Sequence, residues 1–157
     1  MWMLVRGNAI EPDQDGSLTL AACPDSAERG DQWLWSVRQV PARAAASDES
    51  SDGPAQAWRL AVDHDPEHIT TETTVHVDEA VDLTRAPGEE MVVVPLTGQH
   101  LVAHATGPWK RWVAPGDVFI VEGEETEQLR LTPAPGGARV ALIRLRPTSA
   151  RALRWVP

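Results

Sequence analysis

The sequence lacks several residue types that most folded proteins use freely. It has one cysteine, one phenylalanine, one lysine and no tyrosine. The single cysteine, Cys23, excludes an internal disulfide, and its small apolar neighbours predict an inert thiol. No apolar run approaches the roughly 18 residues of a membrane-spanning helix. The N-terminus has about five apolar residues before Arg6, too few for the core of a signal peptide. These absences predict a cytoplasmic protein with no membrane partner.

The charge balance argues against nucleic acid as a partner. The formal net charge is −9, and Lys110 is the only lysine among fourteen lysine and arginine residues. Phosphate backbones are bound by dense positive patches, which an acidic surface opposes. The one basic cluster consists of Arg139, Arg144, Arg146, Arg151 and Arg154. We interpret this cluster as an edge whose arginines pair with carboxylates.

Proline and glycine divide the chain into short β-rich segments, which predicts many strands joined by turns. No stretch has sustained helical periodicity. We predict strands over 2–6, 17–22, 32–40, 57–63, 71–83, 90–96, 99–105, 109–114, 117–122, 126–132 and 138–146. The small and polar residues 41–57 predict a mobile loop. At 157 residues the chain fits one all-β domain, 1–157, in which 1–63 adds strands to a core over 71–147.

Two of these segments make specific predictions about exposure. In residues 71–83, Val75 and Val77 share one parity and His76 has the other, which predicts a dry face and a wet face. Residues 91–96 are apolar on both parities, as in a strand covered on both faces. Pro95 predicts that this strand lies near an edge or contains a bulge.

Residues 71–147 resemble a cupin domain in strand order and in two landmarks. The segment EEMVVVPLTG (89–98) is similar to the end of the first cupin motif, and APGDVFIVEGEETEQLRL (114–131) is similar to the turn and strand of the second. The resemblance implies a double-sheet jelly-roll barrel with extra N-terminal strands that extend one sheet. Cupins hold ligands inside the barrel mouth. The strand around Trp33 and Trp35 is also faintly similar to the HutD-type bicupins. This sequence lacks the glycine-rich opening that is expected of that family.

The residues at the cupin metal positions depart from the family pattern. Counted from Gly116, the histidine of the second motif is replaced by Glu127, which shares the parity of Leu129 and Leu131. Residues 83–87 contain no histidine where the first motif has two, and Arg85 lies closest. The usual cupin metal site combines imidazoles with a carboxylate. The resemblance therefore implies no metal and no other cofactor, and a Glu127–Arg85 pair that is either functional or structural.

Other candidate residues for a ligand pocket are His100, His104 and Trp112. The two histidines lie on one face of a predicted strand, but about 13 Å apart, which is too far for one metal ion. Either could join Glu127 as an acid–base pair. Trp112 could fill the core or line a ligand cavity. The segment 64–68 also contains two histidines, which we interpret as an incidental surface loop.

Three functions remain open from the sequence. The first is a metal-free, cupin-like protein that binds a small molecule. The second is a metal-independent enzyme, such as an isomerase, epimerase or cyclase, with Glu127 or a histidine as its acid–base group. The third covers an atypical metal enzyme and a purely structural or assembly protein. A homodimer is compatible with each of them.

Overall fold

The computed structural model describes the backbone of residues 2–5, 18–21, 35–41, 58–64 and 66–148, and the side chains of Trp2, Leu4 and residues 66–148. These parts of the chain contain strands and turns but no helix. The strands are β1 (Trp2–Val5), β2 (Leu18–Ala21), β3 (Trp35–Pro41), β4 (Trp58–His64), β5 (Ile69–Val77), β6 (Val81–Arg85), β7 (Glu90–Thr97), β8 (His100–His104), β9 (Lys110–Val113), β10 (Val118–Val121), β11 (Glu127–Pro133) and β12 (Arg139–Pro147). No helix within these ranges is long and apolar enough to cross a membrane.

Two antiparallel sheets enclose the core. One has five strands in the order β1-β10-β7-β12-β5, and the other has four in the order β6-β11-β8-β9. From β5 to β12 the chain passes repeatedly from one sheet to the other. Both sheets contribute side chains to one buried apolar cluster, which includes Leu83 and Leu129 from the smaller sheet and Met91 and Phe119 from the larger. This arrangement is a double-sheet jelly roll, as the sequence predicts.

The strand β7, inside the five-stranded sheet, is buried on both of its faces. On β7, Met91 and Val93 belong to the interior cluster, while Val92 and Val94 point the opposite way and are equally buried. The prediction of a strand covered on both sides is therefore confirmed. Pro95 does not mark an edge, because β7 lies between β10 and β12. It lies instead at a register shift opposite Val140, which agrees with the alternative of a bulge.

The prediction of a single strand over 71–83 is wrong, because the strand is interrupted at Asp78, between β5 and β6. This residue has a φ of +53°, donates its N–H to the Ala138 carbonyl at 2.9 Å, and accepts the Ala138 N–H through Oδ1 at 2.5 Å. These bonds satisfy the backbone where the chain leaves β5 and enters β6 in the opposite sheet. Asp78 tolerates a positive φ because its side chain is short and polar, so the chain crosses between the sheets within a few residues.

The predicted dry face of β5 is also wrong. Val75 and Val77 are 49% and 53% exposed, whereas His76, on the predicted wet face, is only partly exposed. Val75 lies opposite Ala141, which is buried. Burial on this face therefore continues over β12 but ends before these two valines of β5, the last strand of its sheet. Residue alternation indicates two faces but does not indicate which of them a neighbouring layer covers.

The N-terminal strands follow two different arrangements. β1 pairs with β10 and extends the five-stranded sheet, as predicted. β2, β3 and β4 instead pair with one another in a separate three-stranded sheet. Of the predicted loop over 41–57, all but Pro41 lies outside the described residues. The single domain over 1–157 stays a prediction, because most of residues 6–57 lie outside them too.

The close approach of two turns at one end of the barrel depends on Gly98. An alanine Cβ there would lie 2.5 Å from the Gly137 carbonyl oxygen, at a φ of +64°. We expect Gly98→Ala to lower the free energy of unfolding by about 3 kcal/mol, because overpacking adds to left-handed strain. Gly136→Ala is the control, since nothing lies within 4 Å of its Cβ at a φ of +110°. Urea unfolding curves measure both variants, and equal losses would contradict the role of this contact.

Candidate functional site

Glu127, Arg85 and His104 meet on the inner face of the four-stranded sheet. Glu127 begins β11 and lies directly opposite Arg85, the last residue of β6. His104 ends β8 and lies opposite Leu129, whose side chain belongs to the interior cluster. The Glu127 side chain is 16% exposed. Its parity with Leu129 turns it toward the barrel interior, at the end where these three strands leave the core.

The Glu127 carboxylate lies between a cation and an imidazole. Its Oε2 is 3.7 Å from Nη2 of Arg85, and its Oε1 is 3.8 Å from Nε2 of His104. Both distances permit electrostatic attraction, but both are longer than a hydrogen bond. Among the described residues, no side chain or backbone group completes a hydrogen bond to this carboxylate. Its oxygens therefore retain acceptor capacity toward the open end of the barrel.

The Arg85 guanidinium is bound to the backbone instead. Although it is an arginine, the residue is only 1% exposed. Its two terminal nitrogens donate to carbonyl oxygens of Ala86 at 2.9 Å, Glu89 at 3.0 Å, Gly123 at 2.8 Å and Glu125 at 2.5 Å. These carbonyls belong to two loops, 86–89 and 123–125. Arg85 thereby joins the loop before β7 to the loop before β11 and balances the charge of Glu127.

A second buried charge holds the loop before β7. Glu89 is 1% exposed and accepts two hydrogen bonds from Arg144, at 2.7 and 2.9 Å, and one from Arg146, at 3.0 Å. It also accepts the Ala86 N–H at 2.8 Å. Burial alone raises the pKa of Glu89, but the bonds from Arg144 and Ala86 and the charges of Arg144 and Arg146 outweigh it, so that the net pKa is lowered. The carboxylate therefore stays ionised and fixes the loop that Arg85 binds.

The orientation of His104 is set by the hairpin that follows it. Its Nδ1 lies 2.6 Å from the Gly107 nitrogen and 3.2 Å from the Thr106 nitrogen. Backbone N–H groups can only donate, so Nδ1 accepts and the proton of the neutral ring lies on Nε2. A Cβ at Gly107 would come within 2.8 Å of Nδ1. The glycine therefore permits the backbone approach that turns Nε2–H toward Glu127.

An aromatic wall continues from His104. The ring of Trp109 lies 5.8 Å from the His104 ring at an interplanar angle of 64°. It also lies 5.5 Å from Trp2 and 5.7 Å from Phe119, measured between ring centroids. The guanidinium of Arg111 lies 4.5 Å above the Trp2 ring. The open end thus combines a carboxylate, an imidazole donor and flat apolar surfaces.

His100 and Trp112 lie away from this cluster. His100 begins β8 opposite Val113, four residues from His104, and is 1% exposed. Trp112 lies on the outer face of β9 and is 50% exposed. Among the other ligand-rich residues, Glu67 and His68 are exposed, while Asp65, Cys23 and the His64 side chain lie outside the described parts of the chain. The pocket role of the five sequence-predicted residues stays a prediction, and the structure brings together Glu127, Arg85 and His104.

Two members of this cluster were not among the pocket candidates predicted from the sequence. Trp109 shares the parity of Val113, which belongs to the interior cluster, so the alternation that continues from β9 is a signal that could have placed its ring on the inner face. Trp2 reaches the cluster because β1 pairs with β10. No local pattern near residue 2 indicates that pairing.

The residues at the cupin metal positions do not fit a bound metal ion. The first-motif position is occupied by a buried guanidinium, and the His104 nitrogen that faces Glu127 carries a proton. Within the parts of the chain that the structure describes, no group of three or more His, Cys, Asp or Glu residues is arranged to hold a metal ion. A metal ion would require deprotonated ligand atoms that converge on one point. Arg85 has only N–H groups, which donate hydrogen bonds and cannot bind a metal.

The two-loop contact of Arg85 should dominate the stability of this end of the barrel. We expect Arg85→Lys to lower the free energy of unfolding by about 3 kcal/mol. The guanidinium bonds four carbonyls through two nitrogens, whereas the single nitrogen of an ammonium group cannot reach all four and leaves some of them unpaired. Arg130→Lys is the control, since its pair with Asp82 is exposed on both sides, and we expect a loss of about 0.5 kcal/mol or less. Urea unfolding measures both variants. Equal losses would contradict the clamp.

The burial of His100 predicts a pH dependence of stability. Desolvation lowers the pKa of His100, although the charge of Asp78 acts in the opposite direction. Above about pH 6.5 the ring is neutral in both states; below it the unfolded chain binds a proton that the folded chain does not. Stability should therefore fall as the pH drops from about 7 to 5. We expect His100→Leu to flatten this fall in urea unfolding, and an unchanged slope would contradict the assignment.

No protein-family model and no curated protein matches the chain, whereas solved structures do. A conserved protein of unknown function from Pseudomonas aeruginosa PAO1 matches with a TM-score of 0.61 and 13% identity, over 93% of this chain and 99% of that one. HutD from Pseudomonas fluorescens SBW25 matches with a TM-score of 0.58 and 12% identity, over 95% and 100%. A cupin superfamily protein from Desulfitobacterium hafniense DCB-2 covers 89% and 86% with 13% identity, but its TM-score of 0.34 is too low to carry an argument.

These likenesses bear on the fold and not on the activity. The similarity to HutD, expected faintly from the Trp33–Trp35 strand, is confirmed at the level of the fold. Together with the two facing sheets and the chain's alternation between them, the matches support one conclusion. The chain has the cupin double-sheet jelly-roll fold.

Proposed function

We propose that this cupin-fold protein binds a small molecule at the barrel end formed by Glu127, His104 and Trp109, and that it does so without a bound metal. The observation that carries the proposal is the Glu127 carboxylate, which is mostly buried yet lacks a hydrogen-bond donor among the described residues. The carboxylate oxygens therefore keep acceptor positions that the protein does not use. A ligand that supplies an N–H or O–H group could occupy them when it binds.

The alternative of a purely structural Glu127–Arg85 pair is less favoured by the contacts. A structural pair would share direct hydrogen bonds, often with bidentate geometry. Arg85 instead donates to the four backbone carbonyls of its two loops, and its nearest distance to Glu127 is 3.7 Å. Arg85 thus neutralises the carboxylate without occupying its acceptor positions.

The aromatic wall supports a small organic ligand over a macromolecule. Trp109 is partly buried against the interior cluster and lies beside His104, so we propose that the exposed part of its ring contacts the ligand. Ligand pockets commonly combine such apolar surfaces with a few polar groups that set orientation. The net charge of −9 continues to argue against nucleic acid as the partner.

A second candidate function is metal-independent acid–base catalysis. It is favoured by the juxtaposition of an acceptor, Glu127, and a donor, His104 Nε2–H, at 3.8 Å. Such a pair could remove a proton from one substrate atom and donate one to another, as an isomerase, epimerase or cyclase requires. Turnover of a bound ligand would distinguish this function from binding alone. A cytoplasmic location and a homodimer remain part of the proposal.

A fragment screen by NMR with ¹⁵N-labelled protein tests the binding site. We expect fragments to shift the Gly107 amide and the Trp109 indole signals, because both groups border the open end. Glu127→Ala should weaken those fragments at least tenfold, which corresponds to about 1.4 kcal/mol. The matched control is Glu79→Ala, which removes a carboxylate from an exposed pair with His76 and should change affinity less than twofold.

Two results would contradict the proposed function. One is a screen in which fragments bind elsewhere and leave the Gly107 and Trp109 signals unmoved. The other is stoichiometric metal in the purified protein by elemental analysis, with loss of fragment binding when that metal is removed.

A further inference from the structure

The cluster at the barrel end presents one acceptor and one donor side by side. Glu127 Oε1 accepts, and His104 Nε2 carries a proton because Nδ1 already accepts from Gly107 and Thr106. Resting on the proposed function, we infer that the ligand is a neutral, flat molecule with an N–H group beside a carbonyl oxygen, as in a lactam, cyclic urea or imide. The ligand N–H donates to Glu127 and its carbonyl accepts from His104.

The spacing of the protein groups suits such an amide edge. Glu127 Oε1 and His104 Nε2 are 3.8 Å apart. The nitrogen and oxygen of a cis amide lie about 2.3 Å apart, from C–N and C=O bond lengths of about 1.33 and 1.23 Å. Two hydrogen bonds of about 2.9 Å that splay outward from the ligand span the difference. A ligand with only a donor or only an acceptor would leave one of the two groups unpaired, which weakens its binding.

The charges around the cluster favour a neutral ligand. A carboxylate or phosphate would approach the Glu127 carboxylate, and like charges at hydrogen-bond distance repel. A cation would compete with Arg85, which already lies 3.7 Å from Glu127, and would approach Arg111 at the aromatic wall. A metal ion would need the nitrogen of His104 that carries the proton. A neutral donor–acceptor pair meets none of these penalties.

The wall of Trp109 favours a flat ring over a flexible chain. A planar ligand held by its polar edge between Glu127 and His104 would have its ring beside the Trp109 indole, which stands at 64° to the imidazole. Offset or edge-to-face contact with an indole stabilises a flat ring beyond the effect of the buried area. A rigid ring also loses less conformational entropy on binding.

Gly107 acts in this arrangement as a positioning residue for His104. Its N–H fixes which ring nitrogen accepts, and its missing side chain leaves room for the imidazole. Gly107→Ala should displace the ring and weaken ligands that use Nε2–H, even if the barrel remains folded. Long-range ¹H–¹⁵N correlation of the histidine side chains reports this directly. In the wild type we expect the proton of His104 on Nε2; a proton on Nδ1 would overturn the inference.

The binding experiment compares 2-pyridone with N-methyl-2-pyridone on the full chain. The two probes have the same ring and carbonyl, and the methyl group removes only the N–H donor. We expect 2-pyridone to shift the Gly107 and Trp109 signals and to bind at least tenfold more tightly than its N-methyl form. Gly107→Ala should lose most of this affinity, while Gly136→Ala, in an exposed turn, should keep it.

The outcomes separate this inference from the proposed function. If other fragments bind at the Gly107 and Trp109 signals but the two pyridones bind equally, the amide-edge ligand class is wrong and the binding site stands. If no fragment binds there, the proposed function fails and this inference fails with it. Selective binding of 2-pyridone that is lost in Glu127→Ala supports both.

Discussion

The buried guanidinium of Arg85 is the interaction on which this end of the barrel depends. It replaces the water it would have in solution by four carbonyl oxygens from two loops, one before β7 and one before β11. Glu89, within the first loop, is in turn held by Arg144 and Arg146. An ordered set of charges therefore lies at the positions to which the sequence resemblance assigns the cupin metal ligands. The cation is covalently part of the chain, so the geometry of Glu127 does not depend on the supply of an ion.

Much of the fold follows from patterns that act over a few residues. Alternating burial along β11 and the apolar run of β7 are consequences of strand geometry, and both are visible in the letters of the sequence. The crossing at Asp78 was missed because a single residue at positive φ interrupts an otherwise continuous β-rich segment. Exposure of Val75 and Val77 was missed because it depends on where the covering layer ends. These are tertiary facts with no local signature.

The candidate site divides in the same way. The position of Glu127 could be predicted from its spacing to Gly116 and its parity with Leu129, and Arg85 from its place in the first motif. The tautomer of His104 could not, because it depends on how the following hairpin turns the Gly107 N–H toward Nδ1. The same holds for Trp2, whose position depends on the pairing of β1 with β10, a strand more than a hundred residues later in the chain. Local spacing thus identified the charged half of the cluster, and long-range contacts supplied the rest.

The pairing of β1 with β10 also constrains the order in which the molecule can be made. Trp2 lies opposite Val121, so β1 leaves the ribosome more than a hundred residues before the strand with which it pairs. Such distant contacts slow folding and leave a strand edge unpaired during synthesis. Trp2 packs against Trp109 and Phe119, so the aromatic lining is completed late. A nascent chain would therefore hold β1 unpaired until β10 has been made, and it would complete both sheets only when β11 and β12 follow.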